Sequence, residues 1–201
     1  MSKIEGTLAR AARAEVDGAA AADRFVKKAE RAGLLDVAYA TVDTPFGPFL
    51  LAATPRGLVR LSFSGEDFDW VVEYLAQKIS PRVLSAPKRL DPVRKQLDEY
   101  FAGRRHDFDV PLDWQLTHGF AQRVLRATAR IPYGRVSSYR EMAQKAGNVR
   151  ASRAAGSALG SNPIPIVVPC HRVLRTGGSL GGYGGGLPMK EALLKMEGAL
   201  L

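Results

Sequence analysis

Residues 138–160 read SYREMAQKAGNVRASRAAGSALG, and the first half of this stretch predicts a short helix with defined ends. Ser138 and Glu141 have the spacing of a capping box, in which each side chain bonds the backbone N–H of the other residue. The helix is expected to run to Ala146, because Gly147 suits the left-handed position that follows a helix C-terminus.

The second half of the stretch predicts another helix, over Val149–Leu159, with Asn148 as its N-cap. This helix must end before the pair Asn162-Pro163, since proline disfavours helical backbone at the preceding residue. Two short helices joined by a Gly-Asn turn have the spacing of a helix-turn-helix, although a plain helical hairpin shows the same pattern. The outward residues of the second helix would be Arg150, Ser152, Arg153 and Ser157.

Residues 162–173 read NPIPIVVPCHRV, a stiff apolar segment that contains the single cysteine of the chain. A lone cysteine is often a small buried hydrophobe, but Cys170 is followed at once by His171 and Arg172. Because a nearby imidazolium or guanidinium lowers the pKa of a thiol, Cys170 is a candidate nucleophile. Consecutive side chains usually point apart, so a Cys170–His171 contact requires a sharp turn or a bridging water.

Seven glycines stand among residues 177–186, a composition typical of a flexible linker. We expect instead a tight loop that lines a pocket, because glycine permits close approach of the backbone to a ligand. The last helix is predicted to begin at Pro188 and to end at Gly198. Glu197 would then lie in its final turn, either as a solvated surface group or as a carboxylate that orients His171.

The first 113 residues predict a small sheet with helices around it. Strands of an antiparallel sheet are expected over Val37–Val42, Pro48–Ala53 and Leu58–Phe63, with a short edge strand over Asp107–Leu112. Helical patterns cover Phe68–Ile79, Leu90–Phe101 and, with Thr117 as a cap, a stretch that ends at Arg130. Residues 1 to about 34 also look helical, as one or two helices packed on the outside or as a partly mobile extension.

The expected fold class is therefore α/β (α+β), with a small N-terminal antiparallel sheet and helices before a mainly helical C-terminal domain. That second domain would hold the helix-turn-helix and the cysteine segment. The predicted divisions are a helical extension over 1–35, an α/β domain over 36–113 and a C-terminal domain over 114–201.

The charge of the chain is concentrated at one end. Residues 1–113 hold 17 basic and 17 acidic side chains, whereas residues 114–201 hold 12 and 3, which accounts for the net charge of +9. This surplus favours a polyanion such as DNA as the partner. One cysteine excludes a disulfide framework and a multi-cysteine metal site, and it favours the cytoplasm as a reducing compartment. No run approaches 18 apolar residues, so no membrane association is expected.

Several motifs together resemble O6-alkylguanine-DNA alkyltransferases, the methylated-DNA–protein-cysteine methyltransferases. The resemblance runs from about Phe120 to Gly198. Its motifs are Pro169-Cys170-His171-Arg172-Val173, Asn162-Pro163, Gly181-Gly182-Tyr183, Ile131-Pro132-Tyr133-Gly134, Ser138-Tyr139, Arg153-Ala-Ala-Gly156, Lys190-Glu191-Ala-Leu-Leu194 and Glu197-Gly198. The first half is similar to the small domain of that family, whereas residues 1 to about 35 show no such similarity.

This resemblance implies repair of duplex DNA by direct reversal of damage, without a cofactor or a metal. The alkyl group of O6-alkylguanine, and of O4-alkylthymine, would pass to Cys170 after the nucleotide has rotated out of the duplex. The thioether product is a poor leaving group, so each protein would act once. The protein would act as a cytoplasmic monomer that could cluster on DNA.

The resemblance also implies roles for the residues of the reaction centre. Cys170 would accept the alkyl group, His171 would deprotonate it through a water, and Glu197 would orient His171. Asn162 would fix the turn between the recognition helix and the cysteine segment. The carbonyls of Cys170 and Val173 would accept hydrogen bonds from the guanine amino group.

Further residues would handle the DNA. Arg153 would fill the space left by the extruded nucleotide, and Tyr139 would crowd the adjacent phosphate and protonate the departing guanine. Ser152 and the small Ala151 are also expected at the DNA. The expected base pocket comprises Tyr139, Val173, Tyr183, Gly184 and Leu159.

Three positions depart from the family pattern. Gly184 replaces a serine of some members, which leaves only its amide to face O6, and Gly160 and Arg126 stand where some members have arginine and tryptophan. Cys170 argues against the non-catalytic alkyltransferase-like proteins, which usually have tryptophan there. The single cysteine also excludes the zinc domain of the regulatory members.

Two other functions fit the same residues. A DNA-binding module, such as a helix-turn-helix regulator or a lesion-flagging protein, would leave the lesion intact. A cysteine hydrolase built on Cys170, His171 and Glu197 would turn over repeatedly on a small ester or amide. A stoichiometric gain of one alkyl group on Cys170 distinguishes the transferase from both.

Overall fold

The computed structural model describes residue 18 and residues 20–200. Residues 20–31 form helix α1, which is the later part of the helical region expected over residues 1 to about 34; most of the earlier part lies outside the described residues. Ala29 of α1 is buried, whereas Phe25 is exposed. Asp23 accepts a hydrogen bond from Lys88 at 2.7 Å, which connects α1 to the start of a later helix.

A four-stranded sheet forms the centre of the N-terminal half. Its strands are β1 (Val37–Val42), β2 (Phe49–Thr54), β3 (Gly57–Ser62) and β4 (Val83–Ser85), in the order β3-β2-β1-β4. The first three pair antiparallel as expected, with ends within one residue of those predicted. β4 pairs parallel to β1 and escapes prediction, because three residues are too few to show a strand pattern.

The edge strand predicted over Asp107–Leu112 is wrong. Within that range only Leu112 forms a bridge, with Leu58 of β3. Pro111 precedes it, and because proline has no N–H the ladder cannot continue through this position.

Two helices cover opposite faces of the sheet. α2 (Phe68–Lys78) packs against Leu50 of β2, and α3 (Pro87–Phe101) packs on the face that carries Leu51. Both faces of β2 are therefore buried, which explains its nearly continuous apolar sequence. Tyr100, near the end of α3, is fully buried on the face that continues into the C-terminal half.

The C-terminal half is mainly helical, which confirms the expected fold class. Its helices are α4 (Gly119–Thr128), α5 (Tyr139–Lys145), α6 (Ser152–Gly160) and α7 (Leu187–Met196), with a parallel pair of short strands, β5 (Ser137–Ser138) and β6 (Val173–Leu174). One apolar core runs through both halves, and the Leu61 N–H donates to the Pro163 carbonyl at 2.8 Å between them. Among the described residues, every helix is too short or too polar to cross a membrane.

Two predicted helix caps are wrong. The Thr117 hydroxyl donates to the Trp114 carbonyl at 2.9 Å, and α4 begins later without a side-chain cap. The Asn148 side chain accepts from the Arg150 N–H at 3.1 Å, which closes a turn before α6 begins. In both cases a local side-chain bond to the backbone competes with helix formation and delays it.

Candidate active site

The helix pair α5–α6 places two predicted side chains beside one another. The Ser138 hydroxyl accepts from the Glu141 N–H at 3.2 Å and the Glu141 carboxylate accepts from the Ser138 N–H at 3.0 Å, so the predicted capping box is confirmed. Gly147 follows α5 with a φ of +92°, as its predicted position requires. The capped start of α5 fixes Tyr139, which together with Arg153 of α6 lines a common cleft.

Asn162 connects the end of α6 to the cysteine segment. Its Nδ2 donates to the Val168 carbonyl at 2.8 Å and lies 3.2 Å from Cys170 Sγ, while its Oδ1 accepts from the Ile164 N–H at 3.1 Å. Ile166, inside this bend, has a φ of +71°, which a β-branched residue adopts only where packing imposes it. Asn162 therefore touches both the bend and the thiol.

Cys170, His171 and Glu197 lie in series. Cys170 begins a single 3₁₀ turn, Cys170–Arg172, directly after a proline. His171 is fully buried, and its Nε2 is 3.0 Å from Glu197 Oε1. Its Nδ1 is also buried and has no hydrogen-bond partner among the described residues. No direct bond joins the Cys170 and His171 side chains within the described part of the chain.

The pKa values of His171 and Glu197 suit proton transfer. Burial alone would raise the pKa of Glu197, but the hydrogen bonds from His171 and Arg172 outweigh it and lower that pKa to about 2. Burial lowers the pKa of His171, and the Glu197 carboxylate offsets only part of this effect. At neutral pH the carboxylate is therefore charged and the imidazole is neutral, so the imidazole can accept a proton.

The expectation that neighbouring cations lower the pKa of Cys170 is wrong. Burial raises the pKa of this thiol to about 11, and the Asn162 hydrogen bond and the Lys190 charge offset only part of the increase. Arg172 uses its guanidinium on Glu197 and on the Ile131 carbonyl. At neutral pH the thiol keeps its proton, so it needs a base before it can act as a nucleophile.

Sequence reasoning missed two residues that hold Glu197. Arg172 donates Nε to Oε2 at 2.8 Å and Nη2 to Oε1 at 2.9 Å. Tyr100, from the other half of the chain, donates its hydroxyl to Oε1 at 2.6 Å. Arg172 could have been found as a cation next to His171, the predicted partner of Glu197, whereas Tyr100 gives no local signal.

Lys190 belongs to one of the motifs of the resemblance, but no role was predicted for it. It is fully buried, and its Nζ donates to the Val173 carbonyl at 2.7 Å and to the Leu180 carbonyl. Burial lowers its pKa to about 8. A lysine on the apolar face of the last helix, between Met189 and Leu193, was the available signal.

A cleft of about 860 Å³ opens beside Cys170. It is lined by the predicted residues Tyr139, Ser152, Arg153, Leu159, Tyr183 and Gly184, and by the unpredicted Arg140, Arg175 and Thr176. Ala151 and Val173 do not line it: Ala151 is the half-buried residue before α6, and the Val173 side chain is fully buried. The cleft is therefore both basic and bounded by glycine-rich backbone.

The glycine segment forms a loop that lines this cleft. Gly181 has a φ of +65°, and a Cβ there would lie 2.6 Å from the Tyr139 hydroxyl, so only glycine allows this close approach. Burial raises the pKa of Tyr139 and of Tyr183, so both phenols keep their protons at neutral pH. The Tyr183 ring packs on Phe63, with centroids 5.6 Å apart, and its buried hydroxyl has no partner among the described residues.

The fold and the site together define a class of protein. A helix-turn-helix borders a basic cleft, and the largely buried Cys170 lines this cleft in front of a buried histidine and carboxylate. Such an arrangement suits one nucleophilic displacement on a group that enters the cleft beside α6.

Comparisons with known proteins identify the family. The DNA binding domain of 6-O-methylguanine DNA methyltransferase matches residues 119–199, and the ribonuclease-like domain of the same family matches residues 37–114. A methylated-DNA–protein-cysteine methyltransferase of Mycobacterium bovis is 42% identical over 159 residues, which cover 79% of this chain and 91% of that protein. The constitutive one of Bacillus subtilis is 39% identical over 163 residues, 79% of this chain and 94% of that protein.

A solved structure supports the same family. The crystal structure of Mycobacterium tuberculosis OGT in complex with DNA matches with a TM-score of 0.69 and 40% identity, and the match covers 81% of this chain and 93% of that chain. The chain belongs to the 6-O-methylguanine DNA methyltransferase family. The resemblance drawn from the sequence motifs is therefore confirmed.

Proposed function

We propose that this protein is a methylated-DNA–protein-cysteine methyltransferase, which moves the alkyl group of O6-alkylguanine in duplex DNA onto Cys170. The observation that carries the proposal is the position of the thiol, between a basic cleft beside α6 and the buried pair of His171 and Glu197. The names of the relatives and the DNA complex of the Mycobacterium tuberculosis protein support it.

The reaction begins with the loss of the thiol proton. With a pKa of about 11, only about one thiol in ten thousand is ionised at pH 7. His171 takes the proton through a water at Nδ1, and the Glu197 carboxylate stabilises the imidazolium that forms. Because the thiolate arises only as it attacks, the resting protein is protected from unselective alkylation.

The displacement itself requires one proton to be transferred to the departing guanine. The Cys170 thiolate attacks the alkyl carbon, the S–C bond forms as the C–O6 bond breaks, and the electron pair passes to guanine. Tyr139, which keeps its proton until then, donates it to the departing guanine and regains one from solvent, while the imidazolium of His171 returns the thiol proton to solvent. The thioether product is a poor leaving group, so each molecule acts once.

A base that is paired in a duplex cannot reach this thiol, so the nucleotide must rotate out at a cost of a few kcal/mol. Arg153, exposed on α6, fills the space left in the duplex, and Ser152 and Ala151 lie against the DNA backbone. Leu159, Tyr183 and the Gly184 amide enclose the rotated base, which is guanine or, as a second substrate, O4-alkylthymine. Asn162 holds the turn between α6 and the thiol.

The same chemistry bears on where and in what form the protein acts. A single acceptor thiol must stay reduced, which suits the cytoplasm. One cleft and one thiol complete the reaction centre, so a monomer on its lesion is sufficient, and clustering on DNA would only change how lesions are found.

The test is to mix excess protein with duplex DNA that carries one O6-methylguanine, and to measure the intact protein mass, the peptide map and the lesion that remains. We expect a gain of one methyl group on the Cys170 peptide for each lesion lost. Bound DNA with an intact lesion and an unmodified thiol would overturn the proposal in favour of a lesion-binding protein. Repeated turnover of a small ester without a mass gain would overturn it in favour of a hydrolase.

A further inference from the structure

Glu197 receives hydrogen bonds from both halves of the chain. Tyr100, in α3, donates its hydroxyl to Oε1 at 2.6 Å, although 97 positions separate the two residues. The same oxygen faces His171 Nε2 at 3.0 Å and accepts from Arg172 Nη2 at 2.9 Å. Tyr100 and His171 are therefore partners of one carboxylate oxygen inside the core.

We propose that Tyr100 is a positioning residue for alkyl transfer: its phenol orients Glu197 and shares the charge of the oxygen that His171 faces. Through this contact the N-terminal half takes part in the activation of Cys170. The inference rests on the proposed function and extends it to a residue outside the half that carries the cysteine.

The Tyr100 phenol is rigidly held. Its side chain is fully buried, and its ring lies 5.4 Å from Phe101, 5.2 Å from Phe108 and 6.3 Å from Tyr133, measured between centroids. A donor that is fixed by packing restricts its acceptor to one orientation, because the 2.6 Å bond is lost when the carboxylate rotates. Tyr100, which belongs to the N-terminal half, thus holds the Glu197 carboxylate in one orientation.

The Tyr100 phenol also affects the charge of the Glu197–His171 pair. Burial and the Glu197 charge raise the pKa of Tyr100 well above its ordinary value, so the hydroxyl remains a donor at every working pH. A donor on Oε1 takes up part of the negative charge that would otherwise stabilise a protonated His171. Removal of the donor should therefore raise the pKa of His171 and leave less neutral base at neutral pH.

Other charged and titratable groups lie close to Glu197 and His171. They are Arg172, Lys190 and Cys170, and the phenols of Tyr133 and Tyr183, which are neutral and make no hydrogen bond to Glu197 among the described residues. Within the described part of the chain none of them is hydrogen-bonded to the Tyr100 hydroxyl, so removal of that one oxygen leaves their direct contacts in place.

The chain offers a matched pair of variants. Tyr100→Phe removes one hydroxyl and with it a donor to Glu197. Tyr133→Phe also removes a phenol hydroxyl beside the end of α7, but that hydroxyl donates to the Met196 carbonyl at 3.0 Å and not to Glu197. A change that appears only in the first variant therefore comes from the bond to the carboxylate.

The experiment uses the full chain and free O6-benzylguanine, which removes DNA binding from the rate. Benzyl transfer is measured from about pH 5 to about pH 9, and the His171 ring is titrated by NMR in the unreacted protein. For Tyr100→Phe we expect transfer about tenfold slower at neutral pH, an acid limb of the profile displaced to higher pH, and a raised His171 pKa. For Tyr133→Phe we expect the wild-type profile and titration.

A purely structural role predicts a different result. If Tyr100→Phe lowers the thermal midpoint but its profile and its His171 titration match those of Tyr133→Phe, the phenol only packs and the inference is overturned. If the wild type transfers no methyl group from duplex O6-methylguanine to Cys170, the proposed function fails instead. The His171 titration needs no reaction, so in that case it still shows whether Tyr100 acts on the Glu197–His171 pair.

Discussion

Cys170 separates two regions that differ in burial and in hydrogen bonding. Behind it, His171, Arg172, Glu197 and Tyr100 are all buried, and their polar groups converge on one carboxylate. In front of it, the cleft arginines Arg140, Arg153 and Arg175 are exposed, and none forms an ion pair within the described part of the chain.

The difference shows how the two tasks are divided. Charges can be buried only where each lone pair and proton has a partner, and such a network is fixed before any substrate arrives. The exposed arginines instead keep their hydrogen-bonding capacity for phosphates, at a smaller cost because they remain hydrated. We therefore expect changes behind the thiol to slow chemistry on every substrate, and changes in the cleft to affect mainly duplex DNA.

The largest effect is expected at Cys170, which separates the two regions. Cys170→Ala should abolish transfer completely and leave binding to duplex DNA intact, because the exposed cleft does not depend on the thiol. Lesion removal and protein mass are measured alongside a binding isotherm for the same duplex. Any residual repair by this variant would show that another atom accepts the alkyl group.

Behind the thiol, Glu197→Gln should slow transfer about 100-fold, because a neutral amide cannot stabilise the imidazolium. The loss should be equal for lesion-bearing duplex and for free O6-benzylguanine, and the affinity for DNA should not change. Glu191→Gln is the matched control, since Glu191 lies on the same helix but is paired at the surface with Lys195 at 2.8 Å. Equal rates for the two variants would contradict the Cys170–His171–Glu197 series.

In front of the thiol, Arg153→Ala should slow repair of duplex DNA about tenfold, because the rotated nucleotide loses the side chain that replaces it in the stack. Reaction with free O6-benzylguanine should fall far less. Arg150→Ala removes the same charge from an exposed site before α6 that does not line the cleft. If Arg153→Ala reduced both reactions equally, the division between the two regions would not hold.

The sequence predicted more of the cleft than of the buried network behind Cys170. The capping box, the glycine loop and the cysteine segment are local patterns; the cysteine segment pointed to Cys170, and the family resemblance assigned Tyr139 and Gly184 to the site. The donors to Glu197 were not predicted, because Tyr100 reaches it only through packing between the two halves of the chain. The Cys170 pKa was misjudged for the same reason: burial is a tertiary property, and it outweighs the neighbouring cations.

The smallest expected effect concerns the thiol without any substrate. The pKa of Cys170, about 11, lies above the ordinary value of 9.0, so the protonated thiol stabilises the fold below about pH 9 and this contribution is lost between about pH 9 and pH 11. The difference in thermal midpoint between wild type and Cys170→Ala should therefore be constant up to about pH 9 and fall by about 5 °C toward pH 11.

A thiolate formed in advance would give the opposite sign. If the cleft arginines or the imidazole held Cys170 ionised, its folded-state pKa would lie below 9.0, and the same difference would increase as the pH rose through that value. The direction of the change therefore shows which region controls the thiol. A decrease means that the thiol waits for the buried base, whereas an increase would mean that the charges of the cleft activate it before DNA binds.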